Sequence, residues 1–263
     1  MLFDTHVHLN SKMYKGDLEE VIARALEAGV TRMAVIGFDA RSNARAIELA
    51  EQYEFIYAVV GIHPSDAKSA TEDGWVVLRE QLKHPKVVAL GECGFDYYHD
   101  TSFNDIQREV FKKQLEIAKE VEIPIVVHMR DSVVDTYEML RDEGKGLSGV
   151  LHCYSGDVEM MHKFLDLGFY IGLDGPVTFK NAHSVHEVAK AVPFNRLVIE
   201  TDGPYLTPAP YRGKRNEPAY VSYVAEKIAE LRELSYEEVC RITTENALTM
   251  YRIKECSCLK SCC

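Results

Sequence analysis

Six residues define the chemistry within reach of this chain: His6, His8, Glu92, His128, His152 and Asp202. Neutral imidazoles and carboxylates are the side chains that hold zinc, manganese, iron or magnesium. His6 and His8 stand two apart in an apolar run, so the period of a strand sends both rings to one face, where they can share an ion. Glu92 closes Ala-Leu-Gly-Glu. A carboxylate behind buried apolar residues is costly without a cationic partner, and one metal ion or a shared pair supplies it. His128 follows Ile-Val-Val and His152 follows Gly-Val-Leu, which puts two more imidazoles at the ends of apolar runs. Together they read as ligands of a second ion, across Glu92 from the first. Asp202 ends Leu-Val-Ile-Glu-Thr-Asp and shares a strand face with Glu200 by the same period-two count. It is expected both as ligand and as general base, taking a proton from a water that divalent ions have acidified toward hydroxide.

Substrate contacts are expected around this set. His63, in Gly-Ile-His-Pro, ends another apolar run but would crowd the ligands, so it is assigned to substrate. Arg130 lies two residues past His128 on the same face and suits an anionic group. The stretch 205–217 directly after Asp202 carries Arg212, Lys214 and Arg215, and the guanidinium forks of the two arginines match phosphate oxygens. Cys93 and Cys153 each follow a ligand, so they should point the other way, into the layer between strands and helices, as small hydrophobes.

These residues must be brought together by the elements that carry them. Apolar, β-branched runs recur at 2–9, 31–38, 56–63, 87–93, 124–129, 148–154, 169–174 and 197–202. Helical periodicity lies between them, as at 17–28, 42–52 and 105–121, and a helical pair, 219–231 and 235–248, follows the last run. Alternation of strand and helix predicts a parallel sheet. Eight such strands close a barrel whose C-terminal ends converge on one face, where barrel enzymes place their active sites. An open doubly wound sheet would announce a Gly-rich phosphate turn after its first strand; here that strand ends in His-Val-His-Leu. No linker divides the chain. The expectation is a single-domain (β/α)8 TIM barrel over 1–251, followed at 252–263 by a disordered tail. That tail carries Cys256, Cys258, Cys262 and Cys263, with no histidine and no four-ligand zinc spacing.

With 46% hydrophobic and 27% charged residues, the 263-residue chain has ample material for one core. Its formal net charge of −11 opposes polyanions and membrane surfaces, so a nucleic-acid substrate has to be held locally, as metal ions in a cleft can do. The start lacks a basic segment followed by an apolar stretch, and no run is long enough to span a bilayer. A cytoplasmic protein with reduced thiols, no membrane partner and no obligate protein partner is expected.

The motifs Asp4-Thr-His6-Val-His8-Leu, Gly61-Ile-His63-Pro64, Gly91-Glu92-Cys93-Gly94-Phe95-Asp96-Tyr97-Tyr98, His128-Met-Arg130-Asp131, His152-Cys-Tyr154-Ser155-Gly156, Glu200-Thr-Asp202-Gly-Pro204-Tyr205-Leu206 and Arg212-Gly-Lys214-Arg215-Asn216-Glu217-Pro218 occur in that order. In this the chain resembles the TatD family of metal-dependent deoxyribonucleases, up to about Tyr251. The resemblance implies one divalent ion on His6, His8, Glu92 and Asp202, with Glu92 bridging to a second on His128 and His152. It implies hydrolysis of DNA phosphodiesters from strand ends, in line, by a metal-activated hydroxide, with Glu92 and Asp202 as catalytic residues. Arg130, Tyr205, Arg212 and Arg215 would contact phosphates, and His63 or Tyr154 the sugar or base. Magnesium is expected to support activity, with zinc or manganese able to occupy the site. One rival keeps the site and changes the bond to an amide, lactone or ester, including an aminoacyl-tRNA deacylase. A second is a non-catalytic protein that inherited the barrel, which loss of ligands would mark; none is lost.

Overall fold

The computed structural model describes residues 1–254. Among them, β1 (Leu2–Val7), β2 (Val30–Ile36), β3 (Ile56–Val60) and β4 (Val87–Asp96) form the first half of one parallel sheet. The second half is β5 (Ile125–Arg130), β6 (Gly149–Leu151), β7 (Tyr170–Leu173) and β8 (Leu197–Ile199). Between successive strands run α1 (Leu18–Glu27), α2 (Ala40–Gln52), α3 (Glu72–Gln81), α4 (Asn104–Glu120), α5 (Val133–Asp142), α6 (Val158–Asp166) and α7 (His183–Ala191). After β8 come α8 (Val221–Arg232) and α9 (Tyr236–Met250).

Strand order follows the chain, and the segment beyond β8 closes on β1: Val7 bridges Gly203, His8 N–H donates to Gly203 O (2.7 Å) and Asp202 N–H to His6 O (2.9 Å). The expected single-domain (β/α)8 barrel is the fold. No helix among the described residues is long and apolar enough to cross a membrane. Residues 255–263 lie outside the described residues, and the expectation for the tail lies there with them.

Local chemistry sets the elements. Asp39 opens α2 with a reciprocal capping box to Ser42, and Gly29, at φ 83°, ends the first helical unit in a conformation only glycine adopts freely. On β5 Val126 shares a face with His128, and Val150 and Val198 stand on β6 and β8 two residues before His152 and Glu200. With Phe3, Ile36, Val59 and Ala89 they form a buried cluster inside the barrel below the site. Ala247 and Met250 of α9, with Tyr251, cap its lower end, and the Tyr251 hydroxyl donates to Thr5 O (2.8 Å).

Where strands run out of ladder partners, buried side-chain amides satisfy the backbone. Asn43 of α2 bonds both N–H and C=O of Gly61 (3.1 and 2.9 Å), and Gln114 of α4 does the same for Ile62 (2.8 and 2.9 Å). Gln107 of α4 takes both groups of Asp96 (2.9 and 3.0 Å). Asn216 Nδ2 donates to Thr201 O (2.7 Å) and Tyr205 O (2.6 Å). The upper ends of β3, β4 and β8, which carry His63, Asp96 and Asp202, are thereby pinned.

One expectation about strand phase is corrected. β8 ends at Ile199, so no period-two count carries Glu200 to Asp202. Asp202 sits in a turn at φ 54°, placed by its backbone bond to His6.

Candidate metal centre and its cleft

At the C-terminal mouth the six expected ligands converge on Glu92. Its Oε2 lies 3.4 Å from His6 Nε2 and 3.8 Å from His8 Nε2, while Asp202 Oδ1 lies 3.7 and 3.3 Å from the same two nitrogens. Its Oε1 faces the other way, 2.6 Å from His128 Nδ1 and 3.0 Å from His152 Nε2. The two oxygens of one carboxylate thus face different imidazoles, His6 and His8 on one side and His128 and His152 on the other. Close strand approach permits this: a Cβ on Gly94 would lie 2.0 Å from His128 O, so β4 reaches β5 only with glycine there.

The donor set fits divalent metal. His6 is fully buried, yet neither ring nitrogen makes a hydrogen bond; such a ring is costly unless a cation meets its lone pair. His8 Nδ1 lies 3.0 Å from Ile36 O, an acceptor only, so that nitrogen carries a proton; Nε2 faces the Glu92 and Asp202 carboxylates, where a bound cation would take its lone pair. His152 Nδ1 is also buried without a hydrogen bond, with the Glu200 carboxylate facing it at 3.4 Å. Among the described residues three overlapping groups bring their donor atoms within 4.8 Å of one another inside each group: His6, His152 and Asp202; His6, His8 and Glu92; and His63, Glu92 and His128.

Electrostatics follow from that packing. Burial alone would raise the Glu92 carboxyl, but His152, His63 and His6, with the His128 hydrogen bond, hold it well below the usual range. Asp202 is likewise held down against burial, first by its bond from His8. Burial, then the neighbouring His128, pushes His63 down to about 3, so it is neutral. Ser65 N–H donates to His63 Nδ1 (3.1 Å), which leaves the ring proton on Nε2, aimed toward Glu92 Oε1 at 3.7 Å. That separation exceeds hydrogen-bond distance, and His63 forms one of the potential donor groups together with Glu92 and His128.

Above the cluster opens a cleft of about 540 Å³. Arg130 and Tyr205, two of the expected substrate contacts, line it with His63. The Arg130 guanidinium lies 4.0 Å above the Tyr98 ring. Three other expected contacts are not brought here. Tyr154 is 2% exposed, packs on Phe164 and donates its hydroxyl to Asp157 O (2.9 Å). A positive φ at Cys153 turns the chain before it, so its ring enters the core. Arg215 forks onto Asp17 and reaches Met13 O, tying the loop after β8 to the segment before α1. Arg212 lies on the Phe179 ring (3.9 Å), outside this cleft.

The same turn corrects Cys153, which faces Asp174 at the mouth instead of the outer layer; burial and the carboxylates of Asp174, Asp202 and Glu200 push its thiol far up. Cys93 is buried as expected.

Several residues of the site were not singled out in the sequence. Asp96 Oδ2 lies 3.2 Å from His128 Nε2, and Asp96 also holds His99 at the rim (3.1 Å). Glu200 accepts from Cys153 N–H (2.6 Å) and Thr5 Oγ1 (3.1 Å) as well as facing His152. Asp4 accepts from Thr201 Oγ1 (2.6 Å) and from the backbone N–H of Thr201 (2.9 Å) and His6 (3.3 Å), which clamps the two segments bearing the first donor set. Phe38 and Leu206 complete the apolar wall beside Tyr205. Asp96 carried one signal, as a carboxylate four residues beyond Glu92 in an otherwise apolar strand.

A closed parallel barrel with buried imidazoles and carboxylates at its C-terminal mouth defines the class of barrel metallohydrolases. Comparison with known proteins narrows it. The model of the TatD related DNase family matches residues 3–252. An uncharacterized metal-dependent hydrolase of Bacillus subtilis is 52% identical over 96% of this chain and 100% of its own length. The 3'-5' ssDNA/RNA exonuclease TatD of Salmonella typhimurium is 36% identical over 96% of this chain and 99% of its own. Among solved structures, a TatD homologue from Escherichia coli superposes with a TM-score of 0.90 at 29% identity, covering 96% of this chain and 98% of that one. The chain belongs to the TatD family and is a metal-dependent hydrolase.

Proposed function

We propose that the chain hydrolyses phosphodiesters at the ends of single-stranded DNA, using two divalent ions shared across Glu92. The observation that carries this reading is the split of the Glu92 carboxylate between two donor sets beneath a cleft rimmed by Arg130. A relative 36% identical bears the name of a single-strand exonuclease, which supports the same bond and substrate. His6, His8 and Asp202 would hold one ion with Glu92, and His128 and His152 the other.

Bound there, such ions would acidify water and stabilise the entering and leaving oxygens of an in-line displacement. The protein's own groups do the rest. Asp202, kept ionised by its histidine neighbours, accepts the proton of the attacking water. His63 donates from Nε2 to a substrate oxygen, and Arg130 takes a phosphate oxygen. Phe38, Tyr205 and Leu206 form a wall for the sugar or base. Magnesium is the working ion, with manganese or zinc able to bind the imidazoles. The free thiols among the described residues, Cys93, Cys153 and Cys240, suit a reducing compartment, the cytoplasm.

The test is digestion of end-labelled single-stranded DNA with magnesium, manganese or chelator, by wild type and by Glu92→Ala. Laddered loss of nucleotides from one end, abolished by chelator and by the substitution, is expected. No cleavage by the metal-loaded wild type, with turnover of an acyl substrate instead, would overturn the nuclease assignment and leave a metal-dependent acyl hydrolase.

A further inference from the structure

Arg212 stands outside the metal cleft but not outside the path away from it. It lines a second depression of about 490 Å³ with Thr178, Phe179, Lys180 and Asn181. Both depressions are built on one loop: Tyr205 and Leu206 wall the first, and Ala209 and Arg212 the second. The loop is fixed, because Ala209 N–H donates to Thr178 Oγ1 (2.8 Å) and Thr207 Oγ1 to Lys214 O (2.5 Å). The Leu206 carbonyl also packs so closely on Gly175 that a Cβ there would lie 1.8 Å from it.

Lys180 and Arg212 are exposed and pair with no carboxylate among the described residues, in a chain of net charge −11. This contrasts with Arg215 and Arg24, which fork onto Asp17 and Glu217. Phe179 lies beneath the exposed Arg212 guanidinium, whose carbon is 3.9 Å from the ring centroid. A guanidinium plane with a neighbouring ammonium is suited to a stacked base and its phosphates.

We propose that this depression is a second nucleic-acid subsite, which binds the single strand on the far side of the scissile bond. The proposal rests on the nuclease reading. Leu206 and Ala209 are three residues apart, at most about 11 Å of extended chain. At about 3.4 Å per stacked nucleotide, the subsite wall begins no more than roughly three nucleotides from the cleft wall.

The experiment compares a DNA dinucleotide with a twelve-nucleotide single strand as substrates for wild type and Lys180→Ala/Arg212→Ala. For the long strand KM should rise about tenfold, as loss of one stacked base and its phosphates implies, with kcat within about twofold. Turnover of the dinucleotide, too short to reach the subsite, should not change. The double variant should also flatten the dependence of log affinity on log salt by roughly 1.4, for two phosphate contacts. Lys180→Arg should retain wild-type KM, and matching melting curves guard against misfolding. An unchanged KM for the long strand, or an equal loss on both substrates, would overturn the subsite. Should wild type cleave neither substrate, the nuclease reading fails separately. Anisotropy of a labelled twelve-mer in chelator then decides the subsite: weaker binding by the double variant supports it, and equal binding overturns it.

Discussion

Glu92 is where the two halves of the cluster join, and Asp202 is where the cluster meets the cleft. The difference predicts different behaviour on substitution. Asp202→Asn preserves shape and one acceptor oxygen but removes the charge and the base; turnover should fall by about 10²- to 10⁴-fold while the circular dichroism spectrum stays unchanged. Retained turnover in the folded variant would remove Asp202 as base. Asp96 touches the cluster only through His128, so Asp96→Asn should weaken metal affinity by about 10- to 100-fold, read by metal titration without substrate. Unchanged affinity would reduce Asp96 to a rim residue. That six residues able to hold metal would gather at one mouth was legible in the sequence, because each is a metal-binding type behind an apolar run. Asp96, Glu200 and Asp4 were not, since a carboxylate's partner depends on which neighbouring strand end it faces. Tyr154 and Arg215 were misread for a related reason: a left-handed turn at Cys153 and an aspartate 198 residues away decide where they point, and neither shows in local spacing.

The elements were read more surely than their ends. Alternating apolar runs and helical stripes located the strands, and the helix expected at 105–121 is Asn104–Glu120. What spacing did not give is how strand ends are held. Gln107 and Gln114 stand seven apart on the buried face of α4, among Val110, Phe111 and Leu115, and polar residues in an apolar stripe were the available sign. Each amide serves both backbone groups of one strand residue. Gln107→Leu would leave the Asp96 N–H and C=O buried without partners, so it should cost about 2 kcal/mol, measured by urea denaturation. The effect should exceed that of Lys113→Leu on the exposed face of the same helix. Equal effects would mean that α4 stabilises the barrel by packing alone.

At the scale of the molecule, the barrel gathers buried histidines and carboxylates into one mouth of a chain with net charge −11. Their mutual contacts keep Glu92 and Asp202 ionised in the interior, and a cation binding the folded but not the unfolded chain must add to stability by mass action. A site filled at one hundred times its Kd contributes about 2.7 kcal/mol. For a chain of this size each kcal/mol moves Tm by roughly 2–4 °C. Magnesium, manganese or zinc at saturating concentration should therefore raise Tm by about 5–10 °C over chelator-treated protein, and two filled sites by more. Glu92→Ala, which removes the carboxylate common to both donor sets, should lose most of that rise. A Tm that ignores all three ions in the wild type would mean that this donor set does not bind metal in the folded chain. A rise that survives in Glu92→Ala would mean that the ions bind without a shared carboxylate, which would separate the two halves of the cluster.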